Sequence, residues 1–298
     1  MKAAANAVRT GVGAQTRLLS LLASTFRKEY HLNMRIGIVQ MKPEFGAVDE
    51  NIERALALIS KARSDLWVLP ELFATGYQFR SRAEAWSYAE AVPDGPTTKR
   101  LIDAARGLDS FICAGLPELD NENVYNSSVV VGPDGLVARY RKLHLFFHEK
   151  ELFSPGDLPL PVADIGMARV GMMICFDHFF PEAARTLAVA GAQVIAHPAN
   201  LVMPLYAQLT MRVRALENGV FTATANRVGD EARTETTLHF NGESQIVSPS
   251  GEILVSLSPT EERAAVVEID PALASDKSLN PLNDRLADRR PSFYKAFD

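Results

Sequence analysis

The stretch Val170-Gly-Met-Met-Ile-Cys-Phe-Asp-His-Phe-Phe-Pro-Glu-Ala-Ala-Arg-Thr-Leu-Ala-Val-Ala-Gly-Ala-Gln-Val-Ile-Ala-His197 decides how this chain folds. Val170 to Cys175 is an apolar run of strand length. Pro181-Glu182 opens a helical segment that runs to Ala190 and is stopped by Gly191. Val194 to His197 is again a buried strand. The same alternation continues outward in both directions. Towards the N-terminus, Arg35 to Met41 and Leu66 to Leu69 read as buried strands. Asn51 to Ala62 places Ile52, Ala55, Leu56 and Ile59 on one helical face. Helical patterns follow at Ala83 to Ala91 and Thr97 to Arg106, and strands at Phe111 to Leu116, Ser127 to Val131 and Leu136 to Tyr140. The last two strands are joined by a Gly-Pro-Asp-Gly turn at 132–135. Towards the C-terminus come helix Tyr206 to Glu217, strand Phe221 to Ala225, a hairpin from Ser244 to Leu257 and strand Ala264 to Ile269, then a polar tail. Strands and helices in this order predict a single α/β domain with mixed sheets covered by helices on one face.

Composition removes several classes of function. The chain has 298 residues, 47% hydrophobic and 22% charged, so it can bury a core and is not disordered. No apolar run reaches the length of a membrane span. A net charge of −5 offers no broad basic surface, so neither nucleic acid nor membrane is expected as a partner. Two cysteines, Cys113 and Cys175, exclude a disulfide scaffold and point to a reducing compartment, the cytoplasm. Residues 1–33 stand apart: five basic residues and one acidic one leave −9 on the remainder. The segment reads as an organellar transit peptide or, preferably, as an upstream-start artefact or disordered tail ahead of a start at Met34. The expected organisation is an N-terminal extension over 1–33, one domain over 34–290 and a tail over 291–298.

Three positions carry chemistry. Cys175 lies between a strand end and a helix start, where the positive helix end can lower a thiol pKa. It is a candidate nucleophile, or else a packing thiol; Cys113, inside Phe111-Ile-Cys-Ala-Gly115, reads as packing. Glu71 follows a buried strand stopped by Pro70, at the carboxyl end of a sheet strand where α/β proteins place ligands. It is either a general base with a raised pKa or an exposed loop residue. Lys142, in Arg139-Tyr-Arg-Lys-Leu-His-Leu145, is either solvated or an indoor ammonium fit to stabilise an oxyanion. His144 and His148 are four apart but have no third ligand in view, so no metal site is assigned. Asn126-Ser-Ser128 is a glycosylation sequon without use in a reducing compartment.

Taken together these segments resemble the nitrilase superfamily of carbon–nitrogen hydrolases. The resemblance rests on Pro70-Glu71-Leu72 with Thr75-Gly76-Tyr77, on Tyr140-Arg-Lys-Leu-His144, and on Cys175-Phe-Asp177 followed by Phe180-Pro-Glu182. Further agreement lies in Phe153-Ser-Pro-Gly-Asp157, His197-Pro-Ala-Asn200 and Arg214-Ala-Leu-Glu-Asn218, and it spans Met34 to about Arg290. It implies a four-layer α-β-β-α sandwich of two mixed sheets, with subunits paired through their helical layers as a homodimer or higher homo-oligomer. It also implies a catalytic set of Glu71, Lys142 and Cys175, with no cofactor and no metal. A second family glutamate maps best to Glu149, with Glu151 the alternative. Phe176, Tyr77 and Asn200 are the implied substrate-binding residues, Phe176 through its backbone N–H. Phe176-Asp177 after the nucleophile resembles amidase and carbamoylase branches more than the nitrilase branch, which favours Trp-Glu. The expected substrate is therefore a small aliphatic amide or ω-amide, with N-carbamoyl amides and nitriles as alternatives. A carbamoylase would need an arginine for a substrate carboxylate, for which Arg82, Arg212 and Arg227 are candidates. A catalytically silent binding module is the non-enzyme alternative.

Overall fold

Met34–Gln40 forms strand β1, with six of its seven residues buried. Burial of both faces explains why this segment is a continuous apolar run rather than an alternating one. A computed structural model describes residues 33–294 of the chain. After β1 come α1 (Val48–Ile59), β2 (Leu66–Val68), α2 (Arg82–Tyr88), α3 (Pro96–Leu108), β3 (Phe111–Asp120), β4 (Asn123–Gly132) and β5 (Gly135–Arg141). Then follow α4 (Glu149–Leu152), β6 (Val162–Asp164), β7 (Arg169–Met172), α5 (Pro181–Val189), β8 (Val194–Pro198), α6 (Tyr206–Asn218) and β9 (Phe221–Ala225). The chain continues through β10 (Val228–Glu231), β11 (Leu238–Asn241), β12 (Gln245–Val247), β13 (Ile253–Ser256), β14 (Arg263–Ile269), β15 (Ser278–Asn280) and β16 (Asn283–Asp284).

Two six-stranded sheets carry the architecture, in the orders β14-β1-β2-β3-β4-β5 and β13-β12-β9-β8-β7-β6. Each is mixed: β1, β2 and β3 run parallel, as do β7, β8 and β9, and the flanking strands are antiparallel. Ile36, Ile38 and Val68 of the first sheet share one buried cluster with Val170, Met172, Ala196 and Ala223 of the second, so the sheets pack face to face. On the outer face of the first sheet, Ile52, Ala55 and Ile59 of α1 and Leu101 and Ala105 of α3 meet Val39, Ile112 and Val129. On the outer face of the second, Ala184 and Leu187 of α5 and Met211 of α6 meet Met173 and Ile195. The result is the four-layer α-β-β-α sandwich in one domain. Each fully buried aliphatic side chain in these layers contributes about 1.5–3 kcal/mol of transfer free energy. A side chain at Gly37 would put its Cβ 2.2 Å from the Trp67 ring, so only glycine lets that indole lie across β1.

Several expectations are corrected. The strand predicted to reach Cys175 ends at Met172, and Cys175–Phe179 is a 3-10 turn. The cause is Asp177, whose carboxylate accepts the Ile174 N–H at 2.9 Å while its own N–H reaches the Ile174 carbonyl at 3.0 Å. The strands expected to stop at Leu116 and to start at Ser127 instead form one long hairpin from Phe111 to Gly132. Val228–Asn241 folds as an antiparallel hairpin, β10–β11, that its polar sequence does not announce. The segment past Ile269, read as a polar tail, holds the β15–β16 pair and covers the end of α6. There Lys277 Nζ donates to the carbonyls of Asn218 and Gly219, and Arg285 to that of Leu216. Such anchoring is polar and leaves no apolar period to read. The extension assigned to 1–33 lies, apart from Asn33, outside the described residues, as do 295–298 of the tail. No helix among the described residues is long and apolar enough to cross a membrane.

Candidate active site

The carboxyl ends of four strands bring the chemistry-bearing residues to one place. Glu71 follows β2, Lys142 follows β5, Cys175 follows β7 and Asn200 follows β8. All four are buried, as is Glu149 at the start of α4. Lys142 Nζ lies 2.7 Å from Glu71 Oε1 and 2.8 Å from the Glu149 carboxylate. Glu151, the alternative second glutamate, has a side chain 75% exposed and is paired with His148 instead. Glu71 Oε1 also accepts from Asn126 Nδ2 at 2.7 Å. Its other oxygen, Oε2, is buried with no hydrogen-bond partner, an orphan acceptor of the kind that asks for a functional reason. The backbone of Glu71 is tightly seated: a Cβ on Gly115 would come within 2.6 Å of its Cα.

Cys175 sits at an elbow with φ of 41°, a left-handed conformation that costs a non-glycine residue energy and is held by its surroundings. Three contacts hold it. His197 Nε2 donates to the Cys175 carbonyl at 2.9 Å, and because a carbonyl only accepts, His197 Nδ1 must accept from Thr224 Oγ1 at 3.0 Å. Burial lowers the His197 pKa to about 4, so this neutral tautomer persists at physiological pH. Asp177 closes the turn from within. The thiol itself points at the Asn200 carbonyl, 3.7 Å away. Asp177 also accepts from Tyr140 Oη at 2.8 Å and from His144 Nδ1 at 2.7 Å, tying the Cys175 turn to the strand end that carries Lys142. His144 stacks on Phe180 with ring centroids 3.7 Å apart and thus serves this tie.

Electrostatics correct one expectation from the sequence. Burial pushes the Cys175 thiol well above its ordinary pKa, the Glu71 carboxylate adds to the rise, and Lys142 opposes it. The expected lowering by a helix start does not occur, because α5 begins only at Pro181 and the thiol is buried beside carboxylates. The resting group is therefore a protonated thiol. Burial also raises Glu71, partly offset by Lys142, while Glu149 adds to the rise. For Lys142, burial pulls downward, but the charges of Glu149 and Glu71 outweigh it and keep the ammonium charged. Cys113 is buried in the inter-sheet core, with its thiol pushed up by desolvation alone.

The implied substrate-binding residues separate in space. Phe176 and Asn200 line a small cavity together with Cys175, Phe146 and His178. Asn200 Nδ2 donates to the Glu71 carbonyl at 2.9 Å, and its Oδ1 is left buried and unpartnered. Tyr77 lines a second, larger cavity, and its hydroxyl donates to Glu149 Oε1 at 2.7 Å. That tyrosine is held from behind: Glu231 accepts the N–H groups of Tyr77 and Gln78 and is paired at 2.5 Å with the buried Arg227. None of the three arginines considered for a substrate carboxylate lines either cavity. Arg82 bonds Leu152 and Ser154, Arg212 bonds Gly251, and Arg227 is spent on Glu231. The sequence reading missed Asn126, which is 1% exposed and bonded to Glu71 rather than presented as a sequon. It also missed the Arg227–Glu231 brace. Only the position of Asn126, one residue ahead of an apolar strand, hinted at an inward side chain.

The model of the carbon–nitrogen hydrolase family matches residues 35–277. A protein of Pyrococcus abyssi named nitrilase is 51% identical over 264 residues, covering 88% of this chain and 99% of the relative. An omega-amidase of Bos taurus is 35% identical over 253 residues, 79% of this chain and 88% of that one. Among solved structures, a carbon–nitrogen hydrolase from Helicobacter pylori G27 superposes with a TM-score of 0.79 at 26% identity, over 88% of this chain and 97% of that one. An amidase from Nesterenkonia sp. AN1 in complex with acrylamide gives a TM-score of 0.74 at 26% identity, over 89% and 97%. With a family model matched over most of its length and a relative sharing half of its residues, the chain belongs to the carbon–nitrogen hydrolase family of the nitrilase superfamily.

Proposed function

We propose that the protein hydrolyses small aliphatic carboxamides or ω-amides through a Cys175 thioester, releasing ammonia and a carboxylic acid. The observation that carries this reading is the Glu71 carboxylate: one oxygen is held by Lys142 and Asn126, and the other is buried and unpartnered. Glu71 Oε2 takes the proton of the Cys175 thiol as the sulfur attacks the amide carbon. Because the thiol pKa is raised, the proton moves only as the new C–S bond forms. Lys142 Nζ, with two N–H groups spent on Glu71 and Glu149, offers its third to the developing oxyanion, together with the Phe176 N–H. The unpartnered Asn200 Oδ1 is suited to accept from the substrate amide N–H. Protonated Glu71 then gives its proton to the leaving nitrogen, and ammonia departs. Water adds to the thioester carbonyl with Glu71 again as base, the carboxylic acid leaves and the thiol is restored. Glu149, gripped by Lys142, Tyr77 and the Phe146 N–H, keeps the ammonium in place through both steps.

Phe176-Asp177 supports amides over nitriles. A second reading, nitrile hydrolysis, is favoured by the 51% identity to a relative named nitrilase. The test is ammonia release from amides, ω-amides, N-carbamoyl compounds and nitriles, with carbon dioxide followed in parallel. Highest kcat/KM on short amides, without carbon dioxide, is expected. A clear preference for nitriles would transfer the assignment to the second reading.

The protein is further proposed to pair through its helical layer. Leu205, Tyr206, Leu209, Val213 and Leu216 form an apolar stripe along α6 and its N-cap, between 41% and 70% exposed. Residues at this spacing share one helix face, and an exposed apolar face of that kind marks an interface. Light scattering is expected to report a dimer or a multiple of it, and a monomer at micromolar concentration would remove the proposal.

A further inference from the structure

The two cavities at the site meet at one side chain. The smaller contains Cys175; the larger is lined by Tyr77 and Glu149 among others. Among the residues lining them, only Phe146 is common to both. Its backbone is clamped to Glu149 in both directions: the Phe146 N–H donates to Glu149 Oε2 at 3.1 Å, and the Glu149 N–H donates to the Phe146 carbonyl at 2.9 Å. The next residue, Phe147, has φ of 49° and is 63% exposed, so the chain turns sharply and leaves that ring at the larger cavity only, not at the one that holds Cys175. The Phe146 ring lies with its centroid 5.2 Å from the ring of Phe176, on the residue following the thiol. The backbone that carries this half-buried ring is thus fixed to the machinery. On its far side Phe79, Leu152 and Leu238 give the larger cavity apolar surface suited to an unbranched hydrocarbon chain.

We propose that Phe146 is the specificity-determining partition of the site, limiting the native enzyme to short acyl chains by closing the small cavity off from the large one. This rests on the amide-hydrolase reading above and deepens it, because it assigns the length limit to one residue. Phe146 performs no proton transfer; its ring excludes a chain that would continue past the reacting carbonyl. Removing it joins the cavities and gives each added methylene a surface to bury against.

The experiment compares kcat/KM for propionamide and hexanamide in the wild type, in Phe146→Ala and in Phe147→Ala. The hexanamide-to-propionamide ratio is expected to rise by about tenfold or more in Phe146→Ala, on the scale at which pockets discriminate by methylenes, and to stay within about twofold in Phe147→Ala. Damage to Glu149 would slow both substrates alike and leave the ratio unmoved, so a ratio in Phe146→Ala within about twofold of wild type overturns the proposal. Should Phe146→Ala fail to fold, Phe146→Leu replaces it, with the same criterion in the same direction. If the wild type hydrolyses neither amide, the functional reading fails, and the partition is decided separately. Alkylation of Cys175 by N-hexyl iodoacetamide relative to iodoacetamide is then read by mass spectrometry: a rise of about tenfold in the variant supports it and an unchanged ratio overturns it.

Discussion

Cys175→Ser is expected to lower kcat by about 10⁴-fold or more, a loss of transition-state stabilisation of roughly 5.5 kcal/mol, while the protein stays folded. The argument starts from burial. The thiol is already held well above its ordinary pKa by desolvation and by Glu71. A hydroxyl is a far weaker acid, and Glu71 cannot take its proton within the same site. The substitution is otherwise mild: serine keeps a group able to donate to the Asn200 carbonyl, and the turn is held by Asp177 and His197 rather than by sulfur. Steady-state kinetics on the best amide of the panel, with thermal melts as the folding control, check this. A variant keeping a tenth of wild-type activity would end the thioester mechanism.

Lys142→Met carries the second large expected effect, and it acts on stability as well as on turnover. The ammonium lies between Glu71 and Glu149, both essentially without solvent. Removing one partner of a buried ionic cluster costs about 3–5 kcal/mol because the charges left behind lose their compensation. For a domain of this size that corresponds to a fall in Tm of roughly 6–20 °C. The pH dependence has a definite sign. Burial already raises the Glu71 pKa and Lys142 opposes that rise, so without the cation the folded-state pKa of Glu71 lies further above its unfolded value. Such a group favours the folded state below the unfolded pKa and loses that advantage as pH rises through the folded one. The deficit relative to wild type is therefore expected to be largest near pH 8 and to narrow towards pH 5. Turnover should fall by about 10³-fold from loss of the oxyanion donor. Melts at the two pH values, with kcat alongside, are the measurement; a Tm within 3 °C of wild type at both would contradict the coupled cluster (taking about 1 kcal/mol as the smallest loss worth the name).

The elements that could be read in advance are those with a local period. Ile52, Ala55 and Ile59 announce α1, and the apolar runs at 35–41, 66–69 and 194–197 announce β1, β2 and β8. The β10–β11 hairpin and the segment after β14 escaped because polar contacts hold them: Glu231 on the Tyr77 loop, Lys277 and Arg285 on the end of α6. At the site, the residue types of Glu71, Lys142 and Cys175 were legible from their places beside strand ends. Asn126, Arg227 and Glu231 were not, since each acts through a partner distant in the chain: 55 residues from Asn126 to Glu71, and 154 from Glu231 to Tyr77. No window of sequence contains both ends of such a bond.

Local chemistry, then, was determined by the order of residues alone: alternating strands and helices, a carboxylate, an ammonium and a thiol each set beside a strand end, and a family pattern joining them. What only the tertiary structure decided was how those groups act on one another. It put Lys142 within 2.7 Å of Glu71, left one oxygen of that carboxylate unpartnered, chose Glu149 over Glu151 for the ammonium and set Phe146 between two cavities. It also reversed the expected direction of the Cys175 pKa. The physical reason is the same in each case. Periodicity and propensity are properties of neighbouring residues, whereas desolvation and Coulomb interaction depend on what lies within a few ångströms in space, and that is fixed only when two sheets close on each other.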